Sequence, residues 1–90
     1  MDKLSVIVPC YNEQEALPYL YDALKAVADE MKEEQFEFIF INDGSKDNTL
    51  SVLVDMSNRD RRVKYYSFSR NFGKEAAMYA GLKKATGDYV

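Results

Sequence analysis

The stretch Leu4-Ser5-Val6-Ile7-Val8-Pro9-Cys10-Tyr11-Asn12-Glu13 decides the fold, because a short apolar run passes directly into a polar turn. The β-branched residues at positions 4–8 predict a buried strand, and Pro9 fixes the direction in which the chain leaves it. The chain therefore opens with a strand whose carboxyl end carries polar side chains.

A helix is expected after this turn. Asn12 and Glu15 have the spacing of a capping box, and apolar residues then recur at helical spacing as far as Met31. This pattern predicts a first helix that runs to about Glu34.

The next segment repeats the order of strand and helix. Residues 36–41 are almost continuously aromatic or β-branched, which is typical of a parallel strand buried on both faces. Asp47 or Asn48 is placed to cap a second helix, and residues 58–62 are polar enough for a loop.

A third repeat follows. A strand is expected at residues 63–69, and a helix with small residues for close packing on a sheet begins after Lys74. Thr86-Gly87 stops that helix, and residues 88–90 have the character of an opening fourth strand. The pattern predicts that the chain ends where a further element begins.

Strands that alternate with helices at this spacing predict an α/β fold with an open, mostly parallel sheet and helices on both faces. Ninety residues allow at most one domain, and residues 1–90 are interpreted as the amino-terminal, nucleotide-binding part of such a domain. Ligands of such sheets bind beyond the carboxyl ends of the strands. We therefore expect residues 9–13, 43–45 and 70–74 to meet at one edge.

Composition excludes several classes of function. Hydrophobic residues make up 47% and charged residues 30% of the chain, a balance typical of a globular protein. The net charge of -3, without a long basic run, argues against nonspecific binding to nucleic acid. The single cysteine favours a reducing compartment, with the cytoplasm as the default, and the apolar run near Met1 is too short to cross a membrane.

The first loop offers groups that suit a nucleoside. Tyr11 could stack on a base beside the rigid Pro9, and Glu13 could accept a hydrogen bond from a ribose hydroxyl. The alternative is a helix cap with a packed tyrosine. Both interpretations stay open at this level.

The second and third loops offer groups that suit the base and the phosphates of a nucleotide. Asp43 can accept a hydrogen bond from a base, although Asp-Gly-Ser is also a common turn. Arg70 and Lys74 lie near a predicted helix amino terminus, where cations and the helix dipole favour a phosphate, although both could be solvated surface charges. The joint pattern predicts a nucleotide site. The dinucleotide G-x-G-x-x-G and the P-loop motif are both absent from the sequence.

Three segments together resemble a known family. They are Ser5 to Glu13, then Asn42-Asp43-Gly44-Ser45 with Asp47 and Thr49, and Ser69-Arg70-Asn71-Phe72-Gly73-Lys74. They are similar to the opening of inverting family 2 glycosyltransferases, which have the GT-A fold, and the match spans the whole chain. The continuation to Asp88 most resembles polyprenyl-phosphate sugar transferases of the dolichol-phosphate mannosyltransferase and bactoprenol glucosyltransferase type.

The resemblance implies roles for six residues. Pro9, Tyr11 and Glu13 would line the nucleoside pocket of a nucleotide-sugar site, and Asp43 would contact the base. Arg70 and Lys74 would face the donor diphosphate. No catalytic residue is assigned.

The resemblance also implies Mg²⁺ or Mn²⁺, held by an Asp-x-Asp motif that normally lies beyond Val90, so no metal ligand is expected within this chain. Asp88 precedes that motif and is interpreted as a surface turn residue. In the family the acceptor oxygen attacks the anomeric carbon from the face opposite the leaving diphosphate, with inversion. UDP-glucose and GDP-mannose are the leading donors, and polyprenyl phosphate is the candidate acceptor.

The 90 residues are expected to hold only part of the donor site and to be inactive alone. The implied strand order, three, two, one, four, would leave strand one with an open edge, so we expect self-association. Attachment of a longer parent to the cytoplasmic face of a membrane stays open. The alternatives are a non-catalytic α/β binding or interaction module and, less favoured, a sugar nucleotidyltransferase.

Overall fold

The computed structural model describes residues 3–31 and 34–87, where strands and helices alternate strictly. The elements are β1 (Lys3–Cys10), α1 (Leu17–Glu30), β2 (Gln35–Asn42), α2 (Thr49–Arg59), β3 (Val63–Ser67) and α3 (Lys74–Lys84). The strands are parallel, in the order β1-β2-β3. The predicted open parallel α/β sheet is confirmed.

The three strands end level with one another. Cys10 pairs with Asn42, and Asn42 pairs with Ser67, so the last residue of each strand lies in one row across the sheet. The backbone oxygen of Cys10 accepts a hydrogen bond from the N–H of Asp43, so the preceding Pro9 faces the outer edge. There its missing N–H costs no bond to β2, which explains why β1 continues through the proline.

Alternate residues of β2 supply the core on the two faces of the sheet. Phe38 and Phe40 pack beneath α1 and α2, whereas Ile39 and Ile41 face α3, and all four are almost completely buried. This continuous apolar run is the signature of a parallel strand that is covered on both sides. The predicted placement of helices on both faces is therefore confirmed.

Small residues bring α3 close to the sheet. Ala77 is fully buried, and a Cβ built on Gly81 would lie 2.3 Å from Cγ2 of Ile7. Only a glycine fits at that distance. The predicted close packing of the third helix on the sheet is confirmed.

The capping box predicted for the first helix is wrong. Asn12 lies five residues before α1, with a φ of 52°, and its side chain accepts a hydrogen bond from the N–H of Lys46. The helix begins instead at Leu17, followed by Pro18 in its first turn, where a missing N–H costs nothing. Its last residue is Glu30, so the predicted end near Glu34 is also wrong.

Two other boundaries differ from the sequence prediction by a few residues. α2 continues to Arg59, inside the segment predicted as a loop, and β3 ends at Ser67 rather than at residue 69. Asn48 occupies the cap position of α2 without a side-chain bond, whereas Asp47 accepts the N–H of Thr49.

The fourth strand predicted at residues 88–90 lies outside the described residues, as does the interpretation of Asp88, and self-association stays a prediction.

A buried carboxylate organises the amino-terminal end of the sheet. Glu37 on β2 is 1% exposed, accepts a hydrogen bond of 2.7 Å from Ser5 Oγ, and is bonded by Lys64 Nζ and by both the N–H and the hydroxyl of Thr86. Burial alone would raise the pKa of Glu37, but these hydrogen bonds outweigh it and lower the pKa to about 2. The cluster ties the chain beyond α3 to β1 and β2.

A second ionic cluster joins α1 to the turn after α2. Asp60 accepts hydrogen bonds from the guanidinium of Arg62 and, at 2.7 Å, from the hydroxyl of Tyr21. The Arg62 hydrogen bonds lower the pKa of Asp60 to about 2, against the opposing effect of burial. The guanidinium also lies over the ring of Phe38, at 5.4 Å from its centroid.

Candidate functional site

The three polar loops that follow the strands meet in one cleft. Its volume is about 670 Å³, and it opens at the carboxyl end of the sheet, where the level strand ends bring the loops together. Its lining residues are Pro9, Cys10, Tyr11, Glu13, Asp43, Asn71, Gly73 and Lys74. The predicted convergence of the loops at one edge is thus observed in the described part of the chain.

Five of the six predicted site residues line this cleft, and Arg70 does not. The Arg70 guanidinium instead lies over the ring of Phe72, with its carbon 4.9 Å from the ring centroid. That ring packs edge-on against Phe68 at 5.4 Å. The cation nearest to a bound phosphate would therefore be Lys74, at the first residue of α3.

Side-chain hydrogen bonds fix the first loop to the second. The N–H of Asn12 donates to Ser45 Oγ at 2.9 Å, while its side-chain oxygen accepts the N–H of Lys46 at 2.8 Å. At the next residue, the N–H of Glu13 donates to the buried hydroxyl of Thr49 at 2.9 Å. These bonds hold Glu13 in place at the mouth of the cleft.

The positive φ of Asn12 follows from these contacts. Asparagine tolerates the left-handed region better than most residues, because its short side chain can bond locally to the backbone. Here that side chain bonds to a loop more than thirty residues away in the sequence. The β1–α1 and β2–α2 loops therefore form one rigid unit.

Asp43 fixes the third loop to the second. The residue is 3% exposed, and its carboxylate accepts the N–H of Phe72 at 2.8 Å and the N–H of Gly73 at 3.0 Å, one on each oxygen. The side-chain amide of Asn71 donates to the same carboxylate at 3.2 Å and to the Asp43 backbone oxygen at 3.1 Å. The aspartate thus holds three consecutive residues of the β3–α3 loop.

The backbones of the two loops also touch. Gly44 has a φ of 69°, and a Cβ built there would lie 2.2 Å from the carbonyl carbon of Arg70 and 2.3 Å from the nitrogen of Asn71. Any larger residue would push the third loop away. Glycine at this position is a requirement of the loop contact as well as of the turn.

The Asp43 carboxylate retains capacity for a ligand. Two carboxylate oxygens offer about four acceptor positions, and three hydrogen bonds from the loop are present. Asp43 also lines the cleft. One further donor, such as a base N–H, can therefore be accommodated without breaking the loop contacts.

Cys10 lines the cleft, but its thiol is unreactive. Burial, followed by the charge of Glu13, raises the pKa of its thiol to about 12. At neutral pH the thiol stays protonated, and thiolates rather than thiols act as nucleophiles. This side chain shapes the floor of the cleft and forms no covalent intermediate.

The metal implied by the resemblance does not find its ligands in the described residues. Across residues 3–31 and 34–87 no group of three or more His, Cys, Asp or Glu side chains is close enough to hold an ion. Among the described residues, two carboxylates line the cleft, those of Glu13 and Asp43, and the latter is engaged by the loop. Within the same residues no helix is long and apolar enough to cross a membrane.

Sequence reasoning missed Asn71 as a residue of the site. It lies inside the cluster predicted at residues 70–74, but only the two cations at the ends of that cluster were given a role in binding. An asparagine beside a glycine after a strand is a turn signal, and only the tertiary fold shows that its amide reaches Asp43. Gly73, with a φ of 102°, gives the loop its second bend.

Comparison with known proteins gives concordant results. A family model described as "Glycosyl transferase family 2" matches residues 5–90. The chain is 47% identical over 88 residues to a "Prophage bactoprenol glucosyl transferase homolog" of Escherichia coli (strain K12) and to a "Bactoprenol glucosyl transferase" of Shigella phage SfX. Each match covers 98% of this chain and 28% of the relative, so the chain spans about a quarter of their length.

A solved structure shares the fold. It is the mannosyltransferase PcManGT from Pyrobaculum calidifontis, determined in complex with GDP-Man and Mn²⁺. The TM-score is 0.70 at 24% sequence identity, and the match covers 97% of this chain and 25% of that chain. At this identity the likeness shows the architecture of the sheet and helices.

Proposed function

Because this chain belongs to glycosyl transferase family 2, we propose that its cleft binds the nucleotide part of a nucleotide-sugar donor. The parent protein transfers the sugar to an acceptor, with inversion at the anomeric carbon. The chain spans about a quarter of its relatives, so these 90 residues contribute one side of the donor site and do not transfer sugar alone.

The observation that carries this proposal is the convergence of three loops on one cleft at the carboxyl end of the sheet. Tyr11 is 42% exposed beside Pro9, which leaves a ring face available for stacking on a base. Glu13 lines the same cleft and is exposed, so its carboxylate can accept ribose hydroxyls. These residues form the nucleoside half of the proposed site.

Asp43 supplies recognition of the base. A ring N–H of uracil or guanine that donates to its remaining acceptor position would form a charge-assisted bond, which is stronger than a bond between neutral groups. The three loop contacts fix the orientation of the carboxylate before the ligand arrives. The site is therefore preorganised for this bond.

Lys74 supplies the charge for the diphosphate. It lines the cleft at the amino terminus of α3, where the helix dipole also favours an anion. Arg70 can add a second cation only after its guanidinium leaves the ring of Phe72. An exposed cation–π contact contributes about 0.5–1 kcal/mol, which a phosphate contact readily offsets.

Two features support a polyprenyl phosphate as the acceptor. Relatives at 47% identity are named bactoprenol glucosyl transferases. A phosphate acceptor is already anionic and needs little help from a general base. The Cys10 thiol in the cleft stays protonated and does not act as a nucleophile. Direct displacement on the sugar fits both features, and we place the reaction at the cytoplasmic face of a membrane.

Calorimetric titration of the 90-residue chain with UDP, GDP and NAD tests this proposal. We expect UDP or GDP to bind and NAD not to bind. Lys74→Ala should weaken the nucleoside diphosphate about tenfold, because it removes a charge-assisted contact. Lys25→Ala is the matched control, since Lys25 pairs with Asp29 on the outer side of α1 and should leave affinity unchanged.

Two outcomes would contradict the proposal. One is a folded chain that binds neither UDP nor GDP. The other is equal affinity for the Lys74→Ala variant and the control, which would place the diphosphate elsewhere.

A further inference from the structure

We infer that Asp43 and Asn71 form a latch that holds the β3–α3 loop and thereby sets the position of Lys74 for a diphosphate. The role of Lys74 rests on the proposed function. The latch itself is a property of the free protein. Asn71 is a positioning residue, because it acts on the ligand through the loop.

The latch is built from four hydrogen bonds that converge on one residue. Two come from backbone N–H groups, at Phe72 and Gly73, and two come from the side-chain amide of Asn71. Asp43 itself is buried and fixed at the end of β2, next in sequence to the last strand residue. The β3–α3 loop is thus joined to the end of the central, buried strand of the sheet.

Close backbone contact leaves the latched loop little freedom. Arg70 and Asn71 lie against Gly44, with no room for a Cβ between the two chains. Lys74 follows the last latched residue, Gly73, and begins α3. The position of its ammonium group therefore depends on bonds that are made at Asp43.

This arrangement couples the two halves of the site through one carboxylate. The oxygens that accept the loop N–H groups belong to the residue proposed to meet the base. A change at Asn71 should therefore affect the diphosphate and spare the nucleoside, whereas a change at Asp43 should affect both. The effects of the two substitutions can be distinguished with a pair of ligands that differ only in the diphosphate.

Amide hydrogen exchange of the free chain tests the latch directly. Asn71→Ala should accelerate exchange at Phe72 and Gly73 about tenfold, because two of the four hydrogen bonds are lost, and should leave the β2 amides unchanged. Ser45→Ala is the matched control, since it removes a single bond between the first two loops. Unchanged exchange at both amides in Asn71→Ala would overturn the latch.

Ligand affinity tests the link to Lys74. In Asn71→Ala, affinity for UDP should fall about tenfold while affinity for uridine stays within about twofold, with GDP and guanosine used if GDP is the ligand bound. In a Lys74→Ala background the same substitution should have no further effect on the diphosphate. Equal losses for nucleoside and diphosphate, or additive losses in the double variant, would overturn the positioning role.

The two failures can be told apart. A wild-type chain that binds neither nucleotide removes the proposed function and, with it, the role given to Lys74. The exchange rates of Phe72 and Gly73 would then still decide whether the latch exists.

Discussion

The two ends of the sheet each hold a buried carboxylate on or next to β2, and different kinds of donor bond the two carboxylates. At the amino end, Glu37 accepts bonds from Lys64 and from the hydroxyls of Ser5 and Thr86, and Lys3 lies 3.9 Å away. At the carboxyl end, the bonds to Asp43 come from backbone N–H groups and an amide, with no cation among them. One end is built as an ion-pair cluster and the other as a cradle of neutral donors.

The difference separates stability from binding. Four donor groups already bond the Glu37 carboxylate, which leaves it little capacity for a ligand, and these bonds mainly fix the strands. The Asp43 carboxylate accepts three bonds from neutral donors, which leaves about one acceptor position unused, and Asp43 lines the cleft. We therefore expect substitutions at the amino end to act mainly on folding and those at the carboxyl end mainly on ligand affinity.

The largest expected effect distinguishes two glycines of the cleft. Gly44→Ala should destabilise the chain by about 3 kcal/mol or more, because its Cβ would overlap the backbone at Arg70 and its φ is positive. Gly73→Ala should cost only about 1–2 kcal/mol, since its φ is also positive but nothing lies within 4 Å of the added carbon. Urea denaturation measures both values.

Equal losses for the two variants would contradict the loop contact. They would mean that backbone strain alone matters at both glycines. The backbones of the β2–α2 and β3–α3 loops would then not be in close contact at Gly44.

The next largest effect is the loss of folding stability at low pH when Glu37 becomes protonated. The folded-state pKa of about 2 lies below the ordinary value of 4.5, so the unfolded chain binds the proton more readily. This contribution to stability is complete above about pH 4.5 and is lost as the pH falls towards 2. Glu37→Gln should remove about 2–3 kcal/mol at pH 7 and flatten the pH dependence of stability in that window.

Asp60 supplies the control for this experiment. Its folded-state pKa is also about 2, lowered by the Arg62 hydrogen bonds, so some acid sensitivity should remain in Glu37→Gln. Loss of all acid sensitivity in that variant would show that Asp60 contributes nothing. An unchanged pH profile would show that the cluster at Glu37 does not stabilise the fold.

The sequence predicted the features that depend on local pattern. Alternating strands and helices, the buried run of β2 and the small residues of α3 follow from periodicity and side-chain size. The convergence of the three loops then follows from the geometry of parallel sheets. These signals lie within short windows, and the structure confirms them.

Contacts between residues far apart in the sequence could not be predicted from local patterns. Asn12 and Glu15 match a capping box, but the partners of Asn12 are Ser45 and Lys46, whose positions depend on the folded sheet. Arg70 was predicted to face the diphosphate, yet the exposed ring of Phe72, two residues away, takes its guanidinium in the free protein. The charge of Glu37 within an apolar strand was a signal of a buried ion pair that pattern analysis passed over.

A map of amide chemical-shift changes across the labelled chain, recorded during titration with UDP and with GDP, tests most directly whether the three loops bind a nucleotide. For one of these nucleotides we expect shifts in residues 9–13, 43–45 and 70–74, weakened by Asp43→Asn, with Ser5, Glu37 and Lys64 unaffected. Shifts centred on the Glu37 cluster, or shifts that persist at full size in Asp43→Asn, would contradict it.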